Sequence, residues 1–150
     1  MIRKLGVVGV LFVVVMLTAC QKGGSGGGGT PGPGPSTNPV VIIELRLGID
    51  DGSFYGAPLP GNGVTMNDVI RVKLVVSSPS DGRKVWFSIR VEQNSQVLAR
   101  NEFETNILAG QSAAGLSFQA RTTGTFQVIG EVRDLDIGGL DRADTGFTVR

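Results

Sequence analysis

The sequence predicts an all-β domain, an antiparallel β-sandwich of about seven strands, set behind an apolar leader and a Gly/Pro-rich linker. Three observations predict it. From Val40 onward, apolar residues recur at every second position in short runs. Clusters of Gly, Pro, Ser, Asn and Asp separate those runs. No heptad pattern and no long run with the 3.6-residue period of an amphipathic helix is present. The chain has 150 residues, which fits one such domain, and it contains no internal repeat.

Residues 1–19 read as a secretory leader. Arg3 and Lys4 precede an uncharged apolar run, Leu5–Leu17, of 13 residues. A comfortable membrane span takes about 20 apolar residues, so the run is too short for that and has the proportions of a signal peptide. Leu17-Thr18-Ala19-Cys20 closes it. Leucine, a small residue, alanine and then cysteine at this place resembles the lipobox of bacterial lipoproteins. The resemblance implies cleavage before Cys20, a diacylglycerol thioether on Cys20 and usually an N-acyl chain. Two or more chains anchor a protein stably where one binds reversibly. The implied location is the bacterial cell envelope, with the membrane engaged through lipid on Cys20. By similarity to enterobacterial sorting, Gln21 in place of Asp favours the outer membrane of a Gram-negative cell.

Residues 20–39 then form the lipidated cysteine and its linker. Gln21–Pro39 holds eight glycines and four prolines and has no large apolar side chain. Such a composition cannot repay the entropy of ordering, and predicts a disordered tether. The prolines alternate with glycine and lack a PxxP docking context.

Residues 40–150 carry the strands. Val41, Ile43, Leu45 and Leu47 alternate with Ile42, Glu44 and Arg46, and Ile70, Val72, Leu74 and Val76 alternate with Arg71, Lys73 and Val75. Val85, Phe87, Ile89 and Val91 alternate with Trp86, Ser88, Arg90 and Glu92. Val97–Phe103 is a weaker strand, placed at an edge. Leu116, Phe118 and Ala120 form the next run, Phe126, Val128 and Val132 another, and Phe147 and Val149 the last. Ser78-Pro79-Ser80-Asp81-Gly82, Asn94-Ser95-Gln96, Ala109-Gly110-Gln111 and Thr123-Gly124 break them. About seven short strands in about a hundred residues, each with one apolar face, point to an Ig-like sandwich.

Composition removes several kinds of chemistry. Histidine is absent, and with it the commonest general base and the His-dependent nucleophiles. The one cysteine closes no internal disulfide, so stability must come from the core. The formal charge is +1 and no basic stripe stands out, so nucleic acid is not an expected partner. No cofactor is implied and an enzyme is not expected. Glu102 and Glu104, and Asp50 and Asp51, are paired carboxylates, but ordinary edge-strand solvation and turn formation explain them.

Two groups remain as candidate sites. Trp86 has the parity of Ser88 and Arg90, opposite to Phe87 and Ile89, so it faces away from the core. Ile129 and Val75 also point outward by parity. A tryptophan beside aliphatics on an outer sheet face is the composition of a binding hot spot for a protein or glycan. The competing expectation is that Gly48–Asn67, with Phe54, Tyr55, Leu59 and Met66, covers Trp86. The second group is Asp134, Asp136, Asp141 and Asp144, four carboxylates near Gly138 and Gly139 that could supply oxygens to calcium. The EF-hand spacing fails for want of the bidentate glutamate, and a loop whose aspartates accept local backbone hydrogen bonds is the simpler expectation.

Some phrasing has a family likeness. Asn67-Asp68-Val69-Ile70-Arg71-Val72, Ile107-Leu108-Ala109-Gly110-Gln111-Ser112, Gly124-Thr125-Phe126-Gln127-Val128 and Val132-Arg133-Asp134 occur in the order of motifs in bacterial Ig-like domains. The stretch from about Val40 to Arg150 resembles the cell-adhesion-related, or CARDB, type. Ser77-Ser78-Pro79-Ser80 stands where that type often has Asn-x-Gly, and Phe126 replaces the commoner Tyr and its corner hydrogen bond. The resemblance implies a noncatalytic interaction or adhesion module on a membrane anchor. The alternative expectation is an envelope lipoprotein that binds a small ligand or calcium.

Overall fold

Two four-stranded sheets, each of antiparallel neighbours, stack face to face in the computed structural model, which describes residues 36–150. The leader, Cys20 and the linker through residue 35 lie outside the described residues. The strands are β1 (Val41–Ile49), β2 (Ala57–Pro58), β3 (Val69–Ser78), β4 (Arg83–Gln93), β5 (Gln96–Ile107), β6 (Gly110–Gln119), β7 (Gly124–Asp134) and β8 (Leu140–Val149). The first sheet runs β2-β1-β3-β6 and the second β5-β4-β7-β8. This is the Ig-like sandwich that the period-two runs predict, with a two-residue β2 as an additional strand.

The core is the set of residues that alternation assigns inward. Ile70, Val72, Leu74 and Val76 of β3 face Val85, Phe87, Ile89 and Val91 of β4, and all are buried. Phe126 stacks on Phe147 at 5.0 Å between centroids and packs against Phe118 at 5.6 Å, while Phe87 meets Phe103 at 5.3 Å. Gly130 sits at core parity, where a side chain would press on Leu74 and Leu45 of the opposite sheet. A Cβ there would come within 2.8 Å of Leu74 Cδ1, so the sheets approach closely at this point. Asn94 and Ser95, with φ of 50° and 63°, form the two-residue turn between β4 and β5, and Gln93 pairs with Gln96 across it.

One strand departs from the expected parity. Ile42 pairs with Val76 and Glu44 with Val75, so Ile43 is an extra residue in a β-bulge. The bulge reverses which side chains face inward. Val40 and Ile42 point to the core before it, and Leu45 and Leu47 after it, while Val41 and Ile43 are 41% and 47% exposed. Strict alternation through Val41, Ile43, Leu45 and Leu47 misplaces the first two, because one inserted residue shifts a period of two by half.

Candidate functional site

The outer face of the second sheet presents a row assembled from all four of its strands. Pairing places Glu104 of β5, Trp86 of β4, Arg133 of β7 and Leu140 of β8 side by side. The Arg133 guanidinium lies 5.7 Å from the centre of the Trp86 ring, within cation–π range. Leu140 is 57% exposed, and Trp86 is partly exposed. The adjoining rows carry charge. Arg90 bonds Glu92 at 2.9 Å and Glu131 at 2.8 Å, which raises its pKa, chiefly through Glu131. Ser88 donates to Glu102 at 3.0 Å, and Lys84 pairs with Glu104 at 2.8 Å.

Ile129 also points to this outer face, between Arg90 and Asp144 in register. It is only 3% exposed, so little of it is open to a partner. Val75 does not join Trp86. It belongs to β3 in the first sheet, between Glu44 and Ala113, and is 5% exposed. Parity says that a residue points outward but not from which sheet, so the expected triplet of Trp86, Ile129 and Val75 separates.

The segment 48–67, the expected cover for Trp86, lies instead over the first sheet. Phe54 and Tyr55 meet edge to face at 4.8 Å, with Lys73 Nζ 4.1 Å from the Phe54 ring and Arg46 4.9 Å from the Tyr55 ring. Arg71 fastens the segment by bonding Asp50 at 2.6 Å and the Ser53 carbonyl. That bond holds the Asp50 carboxyl below its usual pKa. Burial pushes the Lys73 ammonium below its usual pKa, with Arg71 adding repulsion and Asp50 opposing it.

The four aspartates of the acidic segment do not converge. Asp134 is fully buried, and its carboxylate lies 3.4 Å from Arg83 Nη1. It accepts hydrogen bonds from the Val40 N–H at 3.2 Å and from the N–H groups of Asp136 and Ile137 at 3.1 and 3.4 Å. Asp136 accepts from the Lys84 N–H at 2.9 Å, and Asp141 from the Ile42 N–H at 2.8 Å. Asp144 stands opposite Ile129 on the outer face. No group of three or more metal-ligating side chains is assembled among the described residues. The calcium alternative therefore has no assembled ligand set among the described residues, and the aspartates act as the backbone acceptors of the simpler expectation, with the difference that most of their donors are strand ends from elsewhere in the chain rather than local groups.

Those bonds make a clamp on the incoming chain. Arg83 donates to the carbonyls of Ser36 and Asn38 and, through Nε, to Ser80 Oγ at 3.1 Å. Pro39 lies on Gly139, where a Cβ would come within 2.8 Å of the proline ring. Residues 36–39, which composition assigns to the linker, are therefore held against the domain by Arg83 and Gly139, with Asp134 holding the next residue, Val40. Sequence reasoning passes over Arg83, although a signal exists. Arg83 has the core parity of Val85 and Phe87, and Asp134 that of Val128 and Val132. Opposite charges at core parity on neighbouring strands mark a buried pair.

No protein-family model matches the sequence, and no curated protein matches it. Solved structures do. The C-terminal domain of Wzt superposes with a TM-score of 0.54 at 12% identity, covering 74% of this chain and 73% of that one. A family 2 glycosyl hydrolase from Bacteroides cellulosilyticus gives 0.52 at 15% identity, covering 73% of this chain but 15% of the enzyme. The CARDB domain of a Pyrococcus furiosus protein also matches, over 71% of this chain and 88% of that one, at 10% identity and a TM-score of 0.40, too low to place this chain in that group. At these identities the first two likenesses are of fold alone.

Proposed function

We propose that this protein is a noncatalytic interaction module, held at the bacterial cell envelope by lipid on Cys20, that binds a protein partner through the outer face of its second sheet. The observation that carries the binding reading is the row Trp86–Arg133–Leu140. Tryptophan and arginine are the residue types that most often dominate interface energies, and here they stand beside an exposed leucine on one rigid sheet. The charged rows around them have the character of a polar rim. A protein is favoured over a glycan because Arg133 lies over the ring that a sugar would stack on. The anchoring part rests on the lipobox-like Leu17-Thr18-Ala19-Cys20 at the end of the apolar run.

Each part has its own test. Crosslinking in intact cells identifies the partner. Trp86→Ala is then expected to weaken association by about 2 kcal/mol or more, as hot spots do, with the urea midpoint nearly unchanged. A drop in stability with no loss of binding would make Trp86 a packing residue. Trp86 is the only tryptophan, so iodide quenching of its emission reports directly whether the partner covers it. Cys20→Ser is expected to abolish lipid labelling and leader removal of the lipoprotein type. Mature Cys20→Ser protein that still carries lipid in the membrane fraction would show the anchor to lie elsewhere.

A further inference from the structure

Five of the nine large apolar side chains that the described residues leave exposed belong to one end of the sandwich. They are Val41, Ile43, Leu108, Leu135 and Ile137, against Leu140 in the Trp86 row and Met66, Val97 and Leu98 elsewhere. Pairing shows the shared end. Val41 lies beside Ser77, Ser78 beside Gly110, Arg83 beside Ile107 and Val85 beside Asp134. The start of β1 and the turns 79–82, 108–109 and 135–139 therefore meet at one pole. The β4–β5 and β6–β7 turns and Arg150 mark the opposite one.

Three features make this pole more than scattered exposure. The bulge at Ile43 turns Val41 and Ile43 outward where unbroken alternation would bury them. The turns are fixed, with Asp81 accepting the Ala109 N–H at 2.6 Å, Asp136 the Lys84 N–H at 2.9 Å, and the Gly139 carbonyl the Asp134 N–H at 2.8 Å. Leu108, Leu135 and Ile137 are thus displayed on held backbone. Finally, the chain outside the described residues joins at this pole, where Arg83 and Asp134 grip residues 36–40.

We propose that this pole docks onto the bilayer that holds the lipid on Cys20, inserting its apolar turn residues into the interfacial region. The inference rests on the anchoring reading. Fully extended, the chain from Cys20 to Ser36 reaches at most about 55 Å, and it pulls on this pole rather than the other. Docking is then intramolecular, at an effective concentration on the order of millimolar, so a modest apolar affinity suffices. The acidic groups at the pole, Asp81 and Asp136, would repel anionic headgroups, so the contact is apolar and is not weakened by salt. It also leaves the Trp86 row beside the membrane and the opposite pole directed away from it.

The test uses the mature lipidated protein in phosphatidylethanolamine–phosphatidylglycerol vesicles. An environment-sensitive fluorophore is placed on Ile137→Cys or, at the far pole, on Thr123→Cys. The Ile137→Cys probe is expected to shift to the blue and lose its emission to nitroxide-bearing lipid, at low and high salt alike. The Thr123→Cys probe should stay water-like and unquenched. Adding Leu108→Asp and Leu135→Asp, both at exposed positions, should return the first probe to water-like emission. Equal, water-like behaviour at both sites on a chain shown to carry lipid overturns the docking alone. A blue shift in native envelope membranes but not in pure lipid assigns the pole to a protein and also overturns it. Absence of lipid from the wild-type chain overturns the anchoring reading and this proposal with it.

Discussion

Asp134→Ala is expected to lower the stability of the domain by about 3–5 kcal/mol, the range for removing one member of a buried ion pair. Asp134 is 0% exposed and Arg83 5%, so the remaining guanidinium would stay in the interior without its counter-ion. The carboxylate also satisfies the N–H groups of Val40, Asp136 and Ile137, and each buried donor left unmade adds to the cost. A urea titration of wild type and variant measures the difference. Arg83→Met with Asp134→Leu should cost less than Asp134→Ala alone, because no unpaired charge is left, although the backbone donors still lose their acceptor. A loss below about 1 kcal/mol for Asp134→Ala would mean that water reaches the pair, as it does in surface ion pairs. The same variant should free residues 36–40, read as faster proteolysis on the N-terminal side of Val41.

Phe87→Ala is expected to cost about 3–5 kcal/mol as well, the range for truncating a buried aromatic. Phe87 is 2% exposed, packs against Phe103 across the β4–β5 pair and sits opposite Val132 of β7. The loss divides between transfer of the ring and the cavity left, since backbone held in two ladders relaxes little. Phe87→Leu keeps most of the volume and should lose much less. An unchanged urea midpoint for Phe87→Ala would invert the parity of β4, and with it the outward assignment of Trp86.

Much of the fold was legible because a strand writes its environment directly into a period of two. The inward sets of β3, β4 and β7 are the ones that alternation names, and the outward position of Trp86 follows from the same parity. The strand ends at Ser78–Gly82, Asn94–Ser95 and Thr123–Gly124 are marked by residues that tolerate turn geometry. The site was less legible. Parity placed Trp86, Ile129 and Val75 outward correctly, but it does not distinguish two sheets that each have an outer face. The partners of Trp86 are set by pairing, which brings Arg133 from 47 positions away and Leu140 from beyond the next turn.

The acidic segment shows the same division in charge. Four aspartates within eleven residues can offer oxygens to a cation or to backbone donors; the EF-hand pattern fails, and acceptors are the simpler expectation. Their targets decide between these, and the targets are the N–H groups of Val40, Ile42 and Lys84, far away along the chain.

By itself, then, the sequence determined the class of fold, the inward faces of β3, β4 and β7, the turns, and the chemistry that a chain without histidine forgoes, because these follow from local period and composition. Only the tertiary structure decided that the Ile43 bulge turns Val41 and Ile43 outward, that Phe54 and Tyr55 cover the first sheet rather than Trp86, and that Arg83 and Asp134 grip the incoming chain at an apolar pole. Each of these depends on which strands become neighbours, and the period of a strand does not name its neighbour: the core parity of Arg83 and Asp134 marks two buried charges without saying what they grip.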